Sequence, residues 1–178
     1  MRNFLRSRRG SILIEAAIAF PVLIVILLGM VEFGVAYTVK RRNAQVASTA
    51  ADLVTQVSCI TTSNLQDIAS IGAIILAPYP YSTSTSIAGL RITSVMQNAN
   101  NATVQWSYAT GTLGATSQGS TYSLPSGLVS QSQAVVIAEA SYSFTPVIGQ
   151  FLTGVVTFSA KAYNKPRLTS SVTLQGSC

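Results

Sequence analysis

The chain contains no histidine, only two cysteines and only five acidic residues among 178. A Ser-His-Asp or Cys-His arrangement needs an imidazole as base, so both are excluded. Zinc held by two thiols without histidine is implausible. Nothing else in the sequence resembles a catalytic constellation, and no cofactor, small-molecule substrate or enzymatic activity is expected. Basic residues are equally sparse where a nucleic acid would need them. Of the formal net charge of +6, most sits in two short clusters. Arg2, Arg6, Arg8 and Arg9 form one, and Lys40, Arg41 and Arg42 the other. After Arg42 only Arg91, Lys161, Lys165, Arg167, Asp52, Asp67 and Glu139 carry charge. That is no phosphate-binding stripe, so no nucleic-acid partner is expected.

Between the two basic clusters lies an apolar run, GSILIEAAIAFPVLIVILLGMVEFGVAY, from Gly10 to Tyr37. The segment Ala16 to Val31, between Glu15 and Glu32, has no charge over roughly 24 Å of helix. With the apolar residues outside the two glutamates it reaches the ~30 Å needed to cross a bilayer. We therefore expect residues 11–39 to be a transmembrane helix, residues 1–10 a basic leader and residues 40–178 an extracytoplasmic domain. The lysine and arginine clusters on the two sides nearly balance. The short arginine tail need not cross, and the charge-poor, Ser/Thr-rich domain suits an oxidising exterior. The N-terminus is therefore placed in the cytoplasm. Cys59 and Cys178 either pair in that compartment or remain as two thiols.

Glu15 is an ionisable group inside an apolar helix and needs a reason. Cleavage after Gly10 would give Ser11 a free ammonium one turn away, which a neighbouring copy's Glu15 could neutralise. Alternatively, Glu15 lies at the helix N-terminus, where the macrodipole favours it, and reaches the interface. Pro21 should kink the helix or free the carbonyl of Ala17, as a tolerated membrane proline or as a functional bend. Glu32 should reach the outer interface and form a polar, aromatic border with Phe33 and Tyr37, a reading preferred to a buried ion pair. Apolar spacing continues through Ala47, Ala50, Ala51, Leu53, Val54 and Val57 to about Ser58, so the helix should extend into the domain and pack there.

These residues carry a resemblance. RRGSILIEAAIAFPVLIVILLGMVEFGVAY is similar to the N-terminus of the TadE-like proteins of the Tad (Flp) pilus assembly system. Their pattern has arginines, a glycine, a glutamate five on, an early proline and a Gly-x-x-Glu-Phe-Gly-like close. Arg8, Arg9, Gly10, Glu15, Pro21, Gly29, Glu32, Phe33 and Gly34 occupy those places. Ala44–Gln56 and AYNKPR at Ala162–Arg167 resemble members with longer ectodomains. Ala16 stands where an aromatic is common. The resemblance implies a pseudopilin-like protein, processed between Gly10 and Ser11 by a prepilin peptidase, with Glu15 and Glu32 serving assembly. Its implied setting is the bacterial inner membrane, and its implied partners are other Tad pilus assembly proteins and pilin. A membrane-anchored binding or adhesin module is the rival reading, resting on the tyrosines of PYPYSTSTS and a long polar loop.

Downstream, Thr61 to Asn64 should break and cap a second helix from about Leu65 to Ala77, with Ser63 and Gln66 at capping-box spacing and Pro78 as its stop. Period-two patterns then predict strands at Ile87–Met96, Ala102–Tyr108, Ala134–Phe144 and Val155–Tyr163. Val104, Trp106 and Tyr108 should share one face, Asn98–Asn101 should turn, and Pro146–Leu152 should be a short helix or turn. Thr110–Ser132 is read as a mobile or contact-forming loop. The sequon Asn101-Ala102-Thr103 is taken as chance. The expected fold is α+β and pilin-like: a long N-terminal transmembrane helix entering an ectodomain, where a second helix packs on an antiparallel sheet of about four strands.

Overall fold

The computed structural model describes residues 8–82, 87–99, 101–146, 148–149 and 151–178. Arg2 and Arg6 of the leader, and part of PYPYSTSTS, lie outside the described residues. Helix α1 spans Arg8–Thr55, 48 residues or roughly 72 Å. It runs without interruption through Pro21, which has no N–H to donate to the Ala17 carbonyl. From Ile12 to Leu28 every residue of α1 is exposed. Beyond that a stripe turns inward: Ala36, Val39, Val46, Ala47, Ala50, Ala51 and Val54 are buried. Three- and four-residue steps keep these positions on one face, and their small size brings α1 close to the sheet.

A short strand β1 (Cys59–Ile60) follows, and then α2 (Thr62–Leu76). The capping box is formed by Thr61 and Asn64, not by Ser63 and Gln66. The Asn64 amide donates to Thr61 Oγ1 at 3.2 Å, and the Thr61 amide to Asn64 Oδ1 at 3.3 Å. The helix starts earlier than its apolar spacing suggested, because β1 ends at Ile60 and leaves Thr61 in the extended conformation a cap needs.

The main sheet has the order β3-β2-β4-β5 and is antiparallel throughout: β2 is Ala88–Gln97, β3 Ala102–Gly111, β4 Ala134–Phe144 and β5 Val156–Asn164. A two-residue strand β6 (Thr173–Leu174) pairs in parallel with β1. One sheet face meets α1 and α2 through Leu90, Ile92, Val136, Ala138, Ala140, Tyr142 and Phe144, with Phe158, Ala160 and Ala162 half-buried beside them.

A register shift between Ser94 and Val95 corrects one expectation. Ser94 pairs with Trp106 and Val95 with Val104, so Gln105 is the extra residue. The bulge reverses the alternation. Trp106 and Tyr108 therefore belong to the helix-facing core, whereas Val104 faces the other side with Val95, Ala102, Val135 and Ile137. Tyr122, Leu124, Leu128 and Val129 of the long polar loop pack over that second cluster. This segment thus covers the sheet, which is why central strand β4 is buried on both faces from Ala134 to Ala140.

Candidate assembly site on the N-terminal helix

Besides Thr55 at its end, the buried stripe of α1 carries two polar residues in phase with its apolar ones, and each is satisfied differently. Asn43 is buried, and its Nδ2 donates to the carbonyls of Ala140 on β4 and Phe158 on β5, at 3.2 and 3.0 Å. This locks the helix rotation against the sheet. Arg42 turns away from the membrane flank: its Nη1 donates to the Ile75 carbonyl near the C-terminus of α2, and its guanidinium lies 5.7 Å from the Tyr79 ring centroid. Lys40 and Arg41 remain exposed.

Glu32 is the second polar residue of the stripe and is only 3% exposed. Among the described residues it forms no ion pair. Its carboxylate accepts backbone N–H bonds from Gly149 (3.0 Å) and Phe151 (3.1 Å). Those amides belong to the connection between β4 and β5, which descends along α1. The Phe151 ring packs on Gly29, where an added Cβ would stand 3.4 Å from it, and lies 6.5 Å, centroid to centroid, from Phe33. Gly29, Glu32 and Phe33 of the Gly-x-x-Glu-Phe-Gly close thus form one seat: a clearance for a ring, an acceptor for two amides and an aromatic wall. Sequence reading missed this partner because a loop folding back more than a hundred residues away leaves no local trace. The phase of Glu32 with Ala36, Val39 and Asn43 was the signal that it points inward.

Below this seat the helix surface is apolar and open. Ile12–Thr55 contains a stretch long and apolar enough to cross a membrane. Glu15 is exposed there, well separated from the seat; Gly10 and Ser11 lie in the first turns of α1. The structure therefore does not bring Glu15 and Glu32 together.

The cysteines do meet. Cys59 and Cys178 form a disulfide (S–S 2.00 Å) across 119 residues. The two segments that resemble longer family members also meet: Arg167 pairs with Asp52, and its amide donates to the Thr55 carbonyl at 3.1 Å. On the loop-covered face, Glu139 is buried between Arg91 and Lys161 and pairs with both. Burial pushes its carboxyl up, but hydrogen bonds and charge from Lys161 and Arg91 outweigh this and hold it below the ordinary 4.5. No group of three or more potential metal ligands occurs among the described residues.

The features behind the adhesin reading are largely absorbed in packing. Tyr81 donates to the Ala69 carbonyl at 3.2 Å and lies against Gly72, where a Cβ would clash at 2.5 Å. Tyr142 donates to the Pro80 carbonyl at 2.8 Å.

A half-exposed apolar rod joined to a helix-on-sheet body defines an α+β protein with one N-terminal helix long and apolar enough to cross a membrane. Residues 10–52 match the family model described as TadE-like protein, so over this segment the chain is similar to that family. The matched stretch contains Gly10, Glu15, the Gly29–Glu32–Phe33 seat and Asn43. No curated protein and no solved structure matches.

Proposed function

We propose that the protein is a pseudopilin-like structural component of Tad pilus biogenesis, anchored in the bacterial inner membrane with its N-terminus cytoplasmic and residues 40–178 outside. The observation that carries this is the bare rod: an exposed apolar helix surface interrupted by one carboxylate, Glu15, inside the TadE-like match. An apolar helix in lipid gains no hydrophobic drive toward a neighbour, so a paired charge supplies specificity. Prepilin peptidase cleaves between Gly10 and Ser11, and the new Ser11 ammonium meets the Glu15 carboxylate of an adjacent copy. Partners are other Tad assembly proteins and pilin. The role is assembly, not catalysis.

The test is Glu15→Ala in the native host, read by membrane fractionation and by counting pili. The variant should insert normally and yield no pili; normal piliation would sink the pairing. Intact-mass measurement of the exported protein checks processing: the wild type should begin at Ser11, and Gly10→Ala should retain the arginine tail. A wild-type chain still starting at Met1, with peptidase present, would remove the cleavage step.

A further inference from the structure

The connection between β4 and β5 has no charged residue from Thr145 to Val156. Ile148 and Phe151 are each 38% exposed and Val155 is 64% exposed. A soluble loop facing water rarely spends three large apolar side chains this way. Ile148 and Phe151 lie beside Gly29, Val31, Glu32 and Val35, at a level where α1 itself is apolar on its outer side, and Val155 directly precedes Val156, which pairs with Phe144. An apolar cleft of about 310 Å³ opens between Val31, Val35, Phe144 and Ile148.

Charge places this level relative to lipid. With Glu32 enclosed, the first exposed charges flanking the rod are Glu15 and Lys40. The separation of 25 positions corresponds to about 37 Å of helix, longer than the ~30 Å hydrocarbon core. Gly29–Phe33 lies two to three turns below Lys40 and so falls within the apolar span. A bare carboxylate there would be expensive. Backbone amides there also need internal partners. The Glu32 bonds to Gly149 and Phe151 satisfy the carboxylate and those two amides at once.

We propose that this connection is a second membrane contact. It is held to the anchor by Glu32 and immersed in the outer-leaflet lipid with Ile148, Phe151 and Val155. The contact continues the lipid-facing surface of α1, and acyl chains fill the cleft. The inference rests on the helix being a membrane anchor, but not on pilus assembly. It fixes how the domain sits: tethered at two points, with its sheet edge near β5 toward the bilayer.

The test uses full-length protein in phosphatidylcholine–phosphatidylglycerol vesicles, spin-labelled at single cysteines introduced as Leu23→Cys, Val155→Cys and Ile74→Cys. The native disulfide stays closed and unlabelled. Leu23 (61% exposed) reports the rod, and Ile74 (77% exposed) the outer surface of α2. Power saturation compares access to oxygen, which partitions into lipid, with access to a water-soluble nickel chelate. Val155 should behave like Leu23, with oxygen access exceeding nickel access severalfold, and Ile74 should show the reverse. If Val155 behaves like Ile74 while Leu23 stays in lipid, the immersed loop is wrong and the anchor survives. If Val155 is shielded from both reagents, a protein partner occupies the site and the proposal also fails. Water access at Leu23 would overturn the anchor and the loop contact with it.

Discussion

At the scale of single residues, Glu32 decides how the domain is set on its helix. A buried carboxylate normally demands a cation. Here two backbone amides serve instead, and removing the acceptor leaves both donors in apolar surroundings. Glu32→Ala should therefore destabilise the connection locally, by about 1–3 kcal/mol. Amide exchange at Gly149 and Phe151 should accelerate while the β4 core stays protected; unchanged exchange at both amides would show that the bonds do not matter. Asn43 is the analogous lock above it. Glu139 illustrates the opposite solution, a buried carboxylate with two cations. Its folded pKa is depressed, so its contribution is present above the ordinary 4.5 and is lost as pH falls through the lower folded value. In denaturant titrations of the detergent-solubilised chain, Glu139→Gln should be clearly less stable than wild type at about pH 7. The gap should narrow as pH falls below 4.5. A gap independent of pH would contradict the pairing.

Among the elements, legibility followed how local the determinants are. The long apolar helix, α2 and four of the strands were readable because each rests on a repeated apolar spacing within a short window. The inward turn of α1 was readable in Ala47, Ala50, Ala51 and Val54. What escaped reading depends on partners distant in sequence. Val104 changes face because the pairing of Ser94 with Trp106 and Val95 with Val104 places a bulge at Gln105. The polar segment after β3 hides only four large apolar side chains among Ser, Thr and Gly, too few to suggest that it covers a sheet. Thr61 caps α2 because β1, a strand too short to read, sets its backbone. Thr61→Ala should accordingly cost about 0.5–2 kcal/mol. A thermal shift equal to that of Ser63→Ala would contradict the observed cap. Glu15 and Glu32 were legible as carboxylates in an apolar helix, but the partner of Glu32 was not.

The whole molecule is held closed at the end away from the rod. β1 and β6 pair, Arg167 clips Asp52, and the Cys59–Cys178 disulfide closes a 119-residue separation. In the chain-entropy model such a closure stabilises by about 4–5 kcal/mol. Cys178→Ser should lower the unfolding free energy by a comparable amount under oxidising conditions, with wild type under reductant behaving similarly. Little change in either would show that the closure adds no stability. The closure leaves the opposite end of α1 as the exposed part.

The central claim is that this bare rod anchors an external domain. Alkaline extraction of membranes, combined with protease added to intact spheroplasts, tests it most directly. The full-length chain should remain in the membrane pellet after the alkaline wash, with the segment after Arg42 digested from outside. Release into the supernatant, or a domain protected until the spheroplasts are lysed, would contradict it.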